Sequence, residues 1–79
     1  MKEVSLDTSG LMCPRPILET ARALRELSSE ATLRVVATDA AFEKDLPAFC
    51  DAAGHEFLGV ERMGPAVWVG RLRKRRIAR

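Results

Sequence analysis

The chain has 79 residues, which leaves room for one domain with a thin core. Apolar residues make up 47% of it and charged residues 30%, as in an ordinary globular domain, and no apolar run approaches the roughly 18 residues of a membrane span. Because the N-terminus also lacks the apolar stretch of a signal peptide, we expect a cytoplasmic location and no membrane partner.

The first half of the chain alternates strand and helix patterns. Residues 3–7 alternate apolar and polar side chains, as a half-buried strand does, and Gly10 follows in a turn. Apolar residues at helical spacing then predict a helix that begins at Cys13 and runs to about Leu27. Pro14 at its first position and Pro16 in its first turn are compatible with that start. Residues 32–38, rich in β-branched side chains, predict the most buried strand.

The second half predicts a helix and then a hairpin. The second helix starts around Glu43 or Lys44, with Pro47 in or near its first turn, and Gly54 stops it. Residues 55–62 and 67–72 form two strands joined through residues 63–66. The order β-α-β-α-β-β predicts an α+β fold, a two-layer α/β sandwich with a mixed four-stranded sheet and both helices on one face. The other sheet face would remain wet and is a candidate partner surface.

Cys13 is the candidate reactive residue. A cysteine at a helix N-terminus meets unpaired N–H groups and the positive end of the helix dipole, which favour the nucleophilic thiolate. Arg15 adds a nearby positive charge, Pro14 and Pro16 stiffen the helix entry, and Gly10 permits a sharp turn before it. The alternative is a small, buried and inert cysteine at a loop–helix junction. The residues alone leave both interpretations open.

The other candidate groups indicate little chemistry. Cys50 lies on the apolar stripe of the second predicted helix, so we interpret it as a core residue rather than a resolving thiol. Two cysteines and the lone His55 make a poor ligand set for zinc, and we expect neither a metal nor a cofactor. Asp7 and Asp45 are candidate hydrogen-bond acceptors in a loop and at a helix start.

Basic residues are concentrated at the C-terminus. Six of the last nine residues are Lys or Arg, whereas the net charge is only +2, so the first seventy residues carry about −4. We therefore divide the chain into a single domain over residues 1–73 and a basic tail over 74–79. The tail could contact a phosphate backbone or steer an acidic protein partner. It contains no aromatic residue for base stacking, so nucleic acid is the less favoured partner.

Two segments resemble a known family. The run Leu6-Asp7-x-x-Gly10-Leu11-x-Cys13-Pro14-x-Pro16 resembles the Cys-Pro-x-Pro signature of the TusA/SirA-like sulfur-carrier family. Residues 45–50, followed by 54–56, resemble that family's second helix and its exit, and the resemblance covers residues 3–73. Two departures are Asp39-Ala40, where many members have Asp-Pro, and the arginines after residue 71.

The resemblance implies a function. Cys13 would accept sulfane sulfur as a persulfide from a cysteine desulfurase or another sulfurtransferase. It would then relay the sulfur to an acceptor protein, in tRNA thiolation, molybdenum-cofactor supply or sulfur oxidation. No separate acid or base is evident, which fits a sulfurtransferase that acts as a carrier without turnover of its own; whether it is an enzyme stays open. The alternatives are a nucleic-acid-binding module and a redox-regulatory adaptor domain in which Cys13 is reversibly oxidised.

Overall fold

A computed structural model of the protein describes residues 3–75. In chain order the elements are β1 (Glu3–Thr8), α1 (Arg15–Arg25), β2 (Thr32–Ala37), α2 (Phe42–Ala53), β3 (Glu56–Gly64) and β4 (Val67–Arg73). The sheet order is β1-β2-β4-β3, with β1 parallel to β2 and the other two pairs antiparallel. The predicted α+β fold with a mixed four-stranded sheet and two helices is therefore confirmed.

The core lies between one face of the sheet and the two helices. Alternate residues of β2 are buried, namely Leu33, Val35 and Ala37, as expected for a strand in the middle of a sheet that is covered on one side. Phe42, Leu46 and Cys50 of α2 recur at helical spacing and meet this face. These side chains pack together in one core cluster and hold α2 against the sheet.

α2 packs closely on β4 at Gly70. A Cβ atom on Gly70 would lie 2.3 Å from Leu46 Cδ2 and 3.0 Å from Phe42 Cε2. The absence of a side chain at this position lets α2 pack directly on the backbone of β4. Gly70 is thus required by close packing rather than by an unusual backbone angle.

Both helices differ at their ends from the prediction. α1 begins at Arg15, two residues after Cys13, with Pro14 as the cap residue and Pro16 in the first turn, and it ends at Arg25. The peptide bond between Cys13 and Pro14 is cis. α2 begins at Phe42, one or two residues before the predicted start, and Gly54 ends it in a left-handed conformation with φ 80°. Pro47 lies inside this helix, at its sixth residue.

The first residues of the predicted tail are bonded to the domain. Lys74 Nζ donates to the carbonyl of Leu27 at 2.5 Å, just beyond α1, and Arg75 Nη1 donates to the carbonyl of Ala53 at 3.0 Å, at the end of α2. The Arg75 amide also donates to His55 Nδ1 at 3.0 Å. These cations satisfy carbonyls at helix C-termini, where positive charge is favourable. Residues 76–79 of the tail lie outside the described residues, and the division into domain and tail stays a prediction.

Candidate functional site: an exposed thiol between two carboxylates

Cys13 lies where the carboxyl ends of β1 and β2 meet the start of both helices. The Thr8–Ala37 pair closes the parallel ladder, and the Thr8 hydroxyl donates to the carbonyl of Val36 at 2.7 Å. Gly10 leads out of β1 with φ 84°, a conformation that side-chain-bearing residues rarely adopt. Its amide donates to Thr38 Oγ1 at 2.8 Å, which ties the loop to the end of β2. The loop therefore presents Cys13 at the surface.

The two cysteines have opposite environments. Cys13 is exposed, whereas Cys50 is 1% exposed and belongs to the core. Burial raises the pKa of the Cys50 thiol to about 11, so this residue stays protonated and shielded at neutral pH. The expectation that Cys50 is a core residue is confirmed. Cys13 is then the thiol that a partner protein can reach.

Two aspartates lie beside Cys13, one just after β2 and one in the first turn of α2. The Cys13 thiol donates a hydrogen bond to Asp45 Oδ2, with Sγ and Oδ2 3.2 Å apart. The Cys13 amide donates to Asp39 Oδ2, and the other oxygen of Asp39 accepts from the Ala41 amide at 3.2 Å. Asp39 therefore links the Cys13 loop to the start of α2, while Asp45 holds the sulfur itself.

The carboxylates oppose ionisation of the thiol. The hydrogen bond to Asp45 is the main cause that raises the pKa of Cys13, with smaller contributions from partial desolvation and from the charges of Asp45 and Asp39. The predicted helix start at Cys13 is wrong, and the carboxylates act against the thiolate that the helix dipole and Arg15 were expected to favour; the supporting role of Arg15 stays a prediction. Cys13 precedes the helix, and the Arg15 amide donates to the carbonyl of Met12 at 2.8 Å instead of facing the sulfur.

Of the four predicted supporting residues, Gly10, Pro14 and Pro16 shape the loop and the start of α1, whereas Arg15 does not contact the sulfur through its amide. Gly10 makes the turn, Pro14 caps α1, and the Pro14 carbonyl accepts the Leu18 amide at 3.1 Å in the first helical turn. Pro16 is buried, and its carbonyl accepts the Thr20 hydroxyl at 2.8 Å. Arg15 is exposed and forms no ion pair within residues 3–75.

Sequence reasoning missed Asp39 as a site residue and proposed Asp45 only as a helix-start acceptor. The available signal was position: Asp39 follows the C-terminal end of β2, and such ends meet in one region of a sheet with parallel strands. Asp7, the other proposed acceptor, is occupied locally, because its Oδ1 accepts both the amide and the hydroxyl of Ser9. These hydrogen bonds lower the pKa of Asp7.

No group of three or more His, Cys, Asp or Glu side chains suited to a metal ion occurs within residues 3–75. Over the same residues, no helix is long and apolar enough to cross a membrane.

The fold and the exposed cysteine define a class, a small two-layer α/β domain that presents a single accessible thiol. Comparison with known proteins gives the family. The family described as "Sulfurtransferase TusA" matches residues 4–74, and the chain belongs to this family.

Individual relatives agree with that family. The "Sulfur carrier protein TusA" of Pseudomonas entomophila is 42% identical over 57 residues, which cover 72% of this chain and 71% of the relative. The "Putative sulfur carrier protein YrkF" of Bacillus subtilis is 39% identical over 61 residues, 77% of this chain but only 33% of YrkF. The crystal structure of a SirA-like protein from Desulfitobacterium hafniense superposes with a TM-score of 0.79 at 18% identity, covering 92% of this chain and 99% of that one. This last likeness concerns the fold alone.

Proposed function

We propose that the protein is a sulfur carrier that accepts sulfane sulfur as a persulfide on Cys13 and passes it to an acceptor protein. The observation that carries the proposal is the exposure of the Cys13 thiol in a chain of the TusA family, whose relatives bear the name sulfur carrier. The donor is a cysteine desulfurase or another sulfurtransferase. The acceptor belongs to tRNA thiolation, to molybdenum-cofactor supply or to a sulfur-oxidation route.

The transfer is an exchange between a thiol and a persulfide. The thiolate of Cys13 attacks the terminal sulfur of the donor persulfide, a new sulfur–sulfur bond forms on Cys13, and the bond within the donor persulfide breaks. The donor leaves as a thiolate and takes up the proton that Cys13 lost. No external oxidant or reductant is needed, because one sulfane sulfur changes carrier. Delivery repeats the same step with Cys13 as the donor.

The basic C-terminus supports the nucleic-acid alternative less well than its charge suggests. Arg71 pairs with Glu3 at 2.9 Å and Arg73 with Glu56 at 2.6 Å. Lys74 and Arg75 donate to carbonyls of the domain, as described above. Four of the six basic residues therefore have partners within the protein. A phosphate backbone would have to compete with those contacts.

The test is transfer of sulfur to the purified protein from a cysteine desulfurase supplied with cysteine. Mass spectrometry should show a gain of about 32 Da, one sulfur atom, located on the peptide that contains Cys13. Cys13→Ser should not gain the mass, and the matched control Cys50→Ser, if folded, should load like the parent protein. Equal loading of Cys13→Ser would remove the proposal. Glutathione or disulfide adducts on Cys13 without any persulfide would favour the redox-regulatory alternative.

A further inference from the structure

Asp45 has a hydrogen-bonding capacity that the protein leaves partly unused. Its Oδ2 accepts the Cys13 thiol, and its Oδ1 has no hydrogen-bond partner within residues 3–75. Asp39 differs, because both of its oxygens accept backbone amides. The two aspartates thus have separate roles: Asp39 positions the loop, and Asp45 places a negative charge beside the reacting sulfur.

Within the described part of the chain, no cation neutralises this charge. Among residues 3–75, Arg22 pairs with Glu19, Arg71 with Glu3 and Arg73 with Glu56, and none of these ion pairs involves Asp39 or Asp45. Asp45 is only half-buried, so its carboxylate can be approached from solvent together with the thiol. A partner that docks on Cys13 therefore meets the Asp45 carboxylate, which has no ion-pair partner among residues 3–75, at a hydrogen-bond distance from the sulfur.

We infer that Asp45 determines which partners exchange sulfur with Cys13, by favouring those that present a positive charge beside their reacting sulfur. The inference rests on the proposed sulfur-carrier function and adds the chemistry of the partner to it. A persulfide donor is more acidic than a thiol and approaches as an anion, so it is repelled by the carboxylate. A lysine or arginine of the donor that pairs with Asp45 removes this repulsion and also removes the charge that disfavours the Cys13 thiolate.

The test uses two small thiol reagents that share a reactive group and carry opposite charges. The trimethylammonioethyl and sulfonatoethyl esters of methanethiosulfonic acid both transfer an alkylthio group to a thiolate and release methanesulfinate. The rates are measured on the whole protein at neutral pH and low salt, and each is divided by the rate of a free small thiol. For a reagent charge about 6 Å from the carboxylate in a largely aqueous setting, the cationic reagent should be favoured roughly tenfold.

Matched variants separate the local charge from the field of the whole protein. Asp45→Asn should reduce the preference to about twofold or less, and Asp45→Glu should retain most of it. Asp51→Asn removes the same charge from an exposed position further along α2 and should leave the preference unchanged. Salt near 1 M should suppress the preference of the parent protein. Circular dichroism confirms that each variant is folded.

An equal rate of the two reagents with the parent protein overturns the inference, whether or not any variant folds. The same conclusion follows if Asp51→Asn lowers the preference as much as Asp45→Asn does. These outcomes are distinct from failure of the sulfur-carrier function, which would appear as absence of persulfide on Cys13 in the desulfurase experiment. A charge preference without persulfide loading would retain the electrostatic inference and refute the carrier function.

Discussion

Replacement of Gly70 by alanine tests whether close packing of α2 on β4 supports the site. The new Cβ would lie 2.3 Å from Leu46 Cδ2 and 3.0 Å from the Phe42 ring. Leu46 is 0% exposed and Phe42 1% exposed, so both side chains are enclosed in the core, where close packing resists their displacement. Leu46 directly follows Asp45, and a displacement of α2 would therefore also move the carboxylate that holds Cys13.

The expected cost of this substitution is that of overpacking a core, about 1–3 kcal/mol in the free energy of unfolding. In a domain of this size, a loss of about 2 kcal/mol lowers the melting temperature by roughly 8–16 °C. Urea denaturation followed by circular dichroism measures the free energy, and calorimetry measures the melting temperature. Gly64→Ala is the matched control, because a Cβ at Gly64 meets no atom within 4 Å and the residue is not in the left-handed region.

A second substitution shows whether the contact with Leu46 is the cause. Leu46→Ala alone leaves a cavity and should cost about 2–5 kcal/mol. In the Gly70→Ala background the added methyl group partly fills that cavity, so the double variant should be more stable than the sum of the single effects predicts. Unchanged stability of Gly70→Ala, or strict additivity in the double variant, would refute the packing argument.

Three further predictions concern the thiols and a buried hydroxyl. Because the carboxylate of Asp45 raises the pKa of Cys13, Asp45→Asn should shift the pH profile of Cys13 alkylation by iodoacetamide to lower pH; an unshifted profile contradicts this assignment. Cys50 should react with iodoacetamide only in denaturant. Burial raises the pKa of Cys50 from 9.0 to about 11, so its contribution to the free energy of unfolding should be complete below pH 9 and lost as the pH rises to 11. Denaturation at a series of pH values measures this loss, which Cys50→Ala should not show. Thr20→Val removes the buried hydroxyl that donates to the Pro16 carbonyl and should cost about 0.5–1.5 kcal/mol in urea denaturation, the net value of one hydrogen bond; no change would show that the bond contributes nothing.

The open face of the sheet, which the sequence predicts as a partner surface, carries a groove. A groove of about 460 Å³ runs over this face between Arg34, Arg71 and the exposed Leu58 and Met63 of β3. Its charged and apolar residues are mixed. The structure therefore supplies the surface, and its occupant stays a prediction.

The sequence by itself determined the element order and the core. Residues of alternating or helical periodicity carry their own signal, because burial on one side of a strand or helix imposes a period of 2 or 3.6 residues. The stripe of α2 that contains Cys50 follows from this local pattern, the position of β2 follows from its β-branched residues, and the helix stop at Gly54 follows from the conformational freedom of glycine. The exposure of Cys13 did not, since the residues alone fitted a buried cysteine equally well.

Only the tertiary structure decided the chemistry around the sulfur. Asp39 and Asp45 lie 26 and 32 residues after Cys13 in the chain, and the parallel pairing of β1 with β2 brings all three together. A helix N-terminus predicts a stabilised thiolate from local sequence alone. The carboxylates act against that effect, because one of them is hydrogen-bonded to the sulfur, whereas the first amide of α1 is already bonded to Met12. Electrostatics depends on distances across the fold, and no local pattern in the chain encodes those distances.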